Sequence, residues 1–145
     1  MSLNLVAPVM ALVLWTLIML LWMFAVRMPA MSKAGVDMAA PEARGGRGVD
    51  LDRILPAPSN WPAHNYVHLM EQPTLFYAAM LSLVLLGQGT YVNLTLAWTY
   101  VALRALHSIW QATVNTIPIR STLFLLSSLI LIALAINGLV AALKL

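Results

Sequence analysis

The 145-residue chain contains no cysteine and little charge: eight Lys and Arg and five Asp and Glu, 9% of its residues. Without cysteine there are no disulfides, no thiolate metal sites and no nucleophilic thiol of the protein's own. Soluble domains carry about a quarter charged residues, so the shortage of charge excludes an ordinary water-soluble fold. The net charge is +3 with no basic block, which excludes a nucleic-acid surface. What is abundant is apolar: 61% hydrophobic residues and a mean hydropathy of +0.85. The chain therefore reads as a small all-α integral membrane protein.

A helix that spans a bilayer needs about 20 apolar residues. Residues 4–26 supply the first; the segment lacks the charged start of a signal peptide and reads as a retained helix. Residues 27–64 hold nine of the thirteen charged side chains, with Pro29, Pro41, Pro56, Pro58, Pro62 and the run Arg44-Gly45-Gly46-Arg47-Gly48. That composition predicts a polar loop with little regular structure. No strand precedes the glycines and no Lys-Ser/Thr pair follows them, so a flexible connector is a better reading than a phosphate cradle. Residues 72–103 carry no charge over thirty-two positions, too long for one span, and Gly87-Gln88-Gly89 is the natural break. Helices are thus predicted over about 65–86, 91–114 and 119–143. The expected fold is a four-transmembrane-helix bundle forming a single domain over 1–145. Arg27, Lys33, Arg44, Arg47, Arg53 and Arg120 fall in the first and third connections, which places the long loop in the cytoplasm and both termini outside.

Charges within spans are costly, about 2.5–3.5 kcal/mol each on insertion scales, and call for partners. Glu71 and Arg104 fall about 9 Å and about 15 Å inside the loop-side boundary, so an ion pair between them is expected. His64, His68 and Glu71 share one helix face, and Tyr100, Arg104, His107 and Gln111 form a stripe on the next helix. Two such stripes on antiparallel neighbours imply a hydrated pocket open to the cytoplasm; a purely structural Glu71–Arg104 staple is the plainer alternative. His64, His68, Glu71 and His107 are also metal-ligand types, but Arg104 would set a cation beside them, and no metal is expected. Arg120 follows Pro118 at the start of the fourth helix and precedes Ser121. A helix N-terminus, a guanidinium and a hydroxyl make an anion site able to hold a thiolate, which would have to arrive on a small molecule. The alternative is that Arg120 anchors the helix to lipid headgroups.

At these residues the sequence resembles the MAPEG family, the membrane-associated proteins of eicosanoid and glutathione metabolism. The segment from Asn65 to Tyr77, with Glu71, Pro73, Leu75 and Phe76, resembles N-x-x-N-L-x-E-x-P-x-L-F-Y of bacterial members. Arg104-Ala105-Leu106-His107-Ser108 is similar to R-x-x-H-[ST], and Pro118-Ile119-Arg120-Ser121 to P-I-R-S. The resemblance implies a homotrimer in a bacterial inner membrane, with glutathione bound between subunits near the cytoplasmic side. It further implies that His68, Glu71 and His107 contact the peptide, that Arg104 supports Glu71 and that Arg27 binds a carboxylate. Arg120 and Ser121 would then activate the sulfur. The chain departs from the family pattern at His64, Val67 and His68, where arginine, arginine and asparagine are usual, and at Gln111 and Phe124, which stand for tyrosines.

Two functions follow from this reading. One is a glutathione-dependent transferase or peroxidase acting on lipophilic small molecules. The other is a non-catalytic trimer that binds membrane lipids or serves as a subunit of a larger membrane complex.

Overall fold

The computed structural model describes residues 4–144. Four long helices follow in order: α1 (Val6–Lys33), α2 (Ala57–Leu85), α3 (Tyr91–Thr113) and α4 (Ile117–Ala142). Two short 3-10 helices, Pro41–Ala43 and Gly48–Arg53, lie between α1 and α2, and no strand occurs among the described residues. By length and composition, α1 and α4 are apolar enough to cross a membrane. α2 and α3 carry the polar stripes and are less apolar.

The helix ends follow local chemistry. Asn4 Oδ1 accepts the Val6 N–H at 3.0 Å and so satisfies one free donor of the first turn of α1. At its other end α1 continues past Arg27 to Lys33, where Gly35 adopts φ 67° and the Val36 N–H reaches Met31 O at 3.1 Å. α2 begins at Ala57 with Pro58 in its first turn, where the missing N–H costs no bond. Residues 27–33 and 57–64 are therefore helical, not loop as their composition suggested. Charge ends a membrane span but not helical hydrogen bonding, and Pro29 and Pro62 each forfeit one intrahelical bond without ending the helix. The α2–α3 turn closes on Gly87 at φ 66°, and Thr90 Oγ1 caps α3 by accepting the Asn93 N–H at 3.2 Å. Between α3 and α4, Asn115 takes the left-handed conformation at φ 57°.

α1 packs along α2 and α3 along α4, with α2 also touching α3 and α4. Away from the loop the centre is apolar: Leu12, Met80, Leu83, Ala97 and Leu134 are sealed from solvent, and Phe76 stacks on Tyr100 at 4.4 Å and 14°. Toward the loop the apolar cluster shrinks to Met19, Leu69 and Ala112. There α3 turns Arg104, His107, Ser108 and Gln111 inward. The apolar core ends where the polar residues begin.

The long connection is more ordered than its composition suggested, because Arg27 clasps it. Arg27 Nη2 donates to Gly48 O at 2.8 Å, Asp52 Oδ1 at 2.8 Å and Asn60 Oδ1 at 3.0 Å. The second Asp52 oxygen accepts from His64 Nε2 at 2.8 Å. Asp52→Ala leaves a largely buried guanidinium without its counter-charge. The expected cost is about 1–3 kcal/mol, read as a lower thermal midpoint in detergent. Trypsin should also cut faster at Arg44, Arg47 and Arg53; unchanged cleavage would show that Asp52 does not order the connection.

Candidate functional site

The site grows out of the inward face of α3. Tyr100, Arg104, His107 and Gln111 recur at helical spacing and all four are buried. His107 is held at both ring nitrogens. Its Nδ1 lies 3.1 Å from Arg120 O, which can only accept, so Nδ1 carries the proton. Nε2 sits 3.1 Å from the Gln111 amide group. The His107–Arg120 bond ties the middle of α3 to the first turn of α4. It fixes where the Arg120 side chain starts.

His68 of α2 lies against this pair. Its ring is 5.1 Å from His107 and 5.1 Å from Phe124, so the imidazole sits between α3 and α4. His68 Nδ1 lies 2.9 Å from Glu71 Oε2, an acceptor, so that nitrogen donates and Nε2 is left with a free lone pair when the ring is neutral. Arg120 Nη1 donates to Asn115 Oδ1 at 2.7 Å, which holds the guanidinium against the α3–α4 turn. Together His64, Val67, His68, Glu71, Gln111 and Arg120 line an open cavity of about 240 Å³. A carboxylate, imidazoles, an amide and a guanidinium from three helices thus face one small volume.

A polar chain holds the helices at this level. Tyr100 Oη donates to Gln72 Oε1 at 3.3 Å, and Gln72 Nε2 donates to Ser128 Oγ at 2.6 Å. Ser128 in turn donates to Phe124 O at 2.8 Å, so the chain ends on the α4 backbone. At the opposite end of the bundle a second polar contact joins α3 and α4. Asn137 Nδ2 donates to Asn93 Oδ1 at 2.8 Å.

The expected Glu71–Arg104 ion pair does not form. Arg104 is fully buried, and its Nη2 donates at 3.2 Å to the His68 carbonyl rather than to a carboxylate. The Glu71 side chain is 63% exposed and bonds His68. Arg104 of α3 reaches the α2 backbone one turn before Glu71, and the two side chains do not meet. The Arg104 charge is met by that carbonyl and by the Phe124 ring, 5.9 Å from the guanidinium carbon. Arg27 stands apart from the cavity, engaged with the connection. Ser121 is exposed and does not line the cavity, because one residue along a helix rotates a side chain by about 100° from Arg120. His68, Glu71 and Arg120 line it, with His107 and Arg104 behind them. Val67 and Asn115 were not foreseen; an asparagine just before a helix-starting Thr-Ile-Pro was the available signal for a left-handed turn. Among the described residues no three His, Asp or Glu side chains converge as a metal-ligand set.

An all-helical membrane fold with a polar cavity at one end of the bundle is the class these features define. The MAPEG family model matches residues 5–140, nearly the whole chain, and the protein belongs to the MAPEG family. No curated protein and no solved structure gives a significant match.

Because Glu71 is exposed and, among the described residues, its carboxylate pairs only with His68, Glu71→Gln should unfold within about 1 kcal/mol of the parent. Thermal denaturation in detergent measures this. A loss of about 3–5 kcal/mol, the cost of breaking a buried pair, would restore the Glu71–Arg104 contact.

Proposed function

We propose that the protein is a glutathione-dependent transferase or peroxidase that acts on lipophilic electrophiles at the His68–Glu71–Arg120 cavity. The observation that carries this reading is the convergence of those three groups, with Gln111, on one volume. Arg120 supplies positive charge where an anionic sulfur would rest, with Asn115 anchoring one of its nitrogens. His68 keeps its proton on Nδ1 against Glu71, so its Nε2 is the acceptor for a thiol proton. Gln111 and the exposed Glu71 carboxylate suit a peptide amide and an ammonium group. When bound, glutathione supplies a thiol whose deprotonated sulfur forms the new bond to carbon while the displaced group leaves with its electron pair.

The donor set fits the thiol and amine ends of that tripeptide. The cavity is smaller than the about 300–1,000 Å³ of a complete small-molecule site, so one chain supplies only part of it. All four helices are proposed to cross the bilayer, with the basic connection in the cytoplasm and the termini outside, in a bacterial inner membrane. At that depth an exposed carboxylate cannot face hydrocarbon, which supports closure of the Glu71 side by a second copy in a homotrimer. Arg27 is proposed to order the connection rather than to bind glutathione. A second reading, a non-catalytic lipid-binding trimer or a subunit of a larger complex, is favoured by the positions of Arg27 and Ser121 outside the cavity.

Millimolar glutathione should raise the thermal midpoint of the purified protein, since a ligand that binds the folded state stabilises it. Arg120→Ala should lose most of that shift and keep the oligomer. No shift for the parent with the oligomer intact would reject the thiol reading in favour of the second.

A further inference from the structure

A separate cavity lies at the end of the bundle away from the connection. It measures about 460 Å³ and opens between the α2–α3 turn, the start of α3 and the end of α4. That volume is in the range of about 300–1,000 Å³ used by small-molecule sites. Its wall is organised around one buried side chain. Asn93, only 3% exposed, accepts from Asn137 Nδ2 at 2.8 Å and donates from its own Nδ2 to Gln88 O at 3.0 Å. It thereby ties the turn to both helices, and the polar wall is preformed.

Gln88, Thr90, Asn137 and Lys144 supply the other polar groups of that wall. Lys144 is the only charged side chain that the sequence puts at this end, since residues 1–26, 72–103 and 121–143 carry none. It is exposed and forms no ion pair among the described residues. An ammonium group set among hydroxyl and amide groups, with no acid beside it, suits an anion.

The level of this end follows from α4. Its 26 residues are apolar enough to cross a membrane and extend about 39 Å, more than the about 30 Å of hydrocarbon. The last turn and a half, after Asn137, therefore reaches the headgroups, and the exposed Tyr91 ring at the start of α3 suits the same level. Below the cavity Val140, Ile136 and Ile132 are exposed and recur every four residues, an apolar strip that runs down α4 into the bilayer. Charge at the top and hydrocarbon beneath define the occupant.

We propose that this cavity seats the headgroup of a phospholipid from the leaflet away from the connection. Its phosphate would pair with Lys144, its headgroup hydroxyls would meet Gln88, Thr90 and Asn137, and one acyl chain would follow Val140, Ile136 and Ile132. The site is independent of the thiol chemistry proposed for the other end of the bundle.

The test is native mass spectrometry of the full-length protein, released from detergent and titrated with three probes. Dioleoyl phosphatidylglycerol carries phosphate and chains, dioleoylglycerol lacks the phosphate, and glycerol phosphate lacks the chains. Saturable binding is expected for the first, at least tenfold tighter than for either of the others. Lys144→Ala, at an exposed position, should weaken it about tenfold, the equivalent of one charge-assisted hydrogen bond, and Lys144→Arg should keep it. Val140→Trp, also outward-facing, fills the mouth of the cavity and should weaken it as well. Lys33→Ala removes the same charge at the connection and should leave this binding unchanged. Binding by Lys144→Ala equal to the parent's, or to that of Lys33→Ala, would overturn the proposal. Equal binding of glycerol phosphate would reject a lipid as the occupant, and equal binding of dioleoylglycerol would reject phosphate recognition.

Discussion

The hydrogen bond from His107 Nδ1 to the Arg120 carbonyl is the contact on which the loop-side half of the bundle depends. It joins the middle of α3 to the first turn of α4, and no other contact sets the height of Arg120 relative to His68 so directly. The Gln111 amide at the second ring nitrogen prevents the imidazole from turning away. His68 can then lie between His107 and Phe124 while presenting Nδ1 to Glu71. The acid, the imidazole and the guanidinium thus meet because one buried histidine has both nitrogens occupied.

That arrangement divides the bundle in two. Away from the connection, interdigitated Leu, Met and Phe side chains pack as any apolar core does, and the stacked Phe76 and Tyr100 rings close it. On the other side, polar groups replace apolar ones on the inward face of α3, and hydrogen bonds replace packing as the link between helices. The Tyr100–Gln72–Ser128 chain marks the boundary, running across three helices at one level. In hydrocarbon such groups have no competing water, so each must find a protein partner or a hydrated cavity. Arg104 is the extreme case: a buried cation held by one carbonyl and an aromatic face.

Much of this was legible in the sequence. Charge-free runs and the break at Gly87-Gln88-Gly89 located the helices, because a span must be long and apolar and glycine permits a tight turn. The stripe of Tyr100, Arg104, His107 and Gln111 was legible from helical spacing alone. Its partner choice was not. Depth along two helices says nothing about rotation about their axes, so Glu71 and Arg104 could share a level and still face apart. The connection was also misread: composition reports solubility, whereas order there comes from Arg27 meeting Asp52, Asn60 and Gly48, contacts more than twenty residues apart in sequence. Ser121 was misplaced for a similar reason, since a motif gives adjacency in sequence and a helix turns adjacent residues to different sides.

The central proposal is that the polar cavity at the junction of α2, α3 and α4 holds water within the depth of the bilayer. The absence of native cysteine allows single thiols to report on it. Introducing Glu71→Cys, Leu75→Cys and Leu69→Cys one at a time and timing reaction with a charged, membrane-impermeant methanethiosulfonate is the most direct measurement. The account predicts that position 71 reacts much faster than outward-facing position 75 and buried position 69. A thiol at position 71 that reacts no faster than one at position 75 would contradict it.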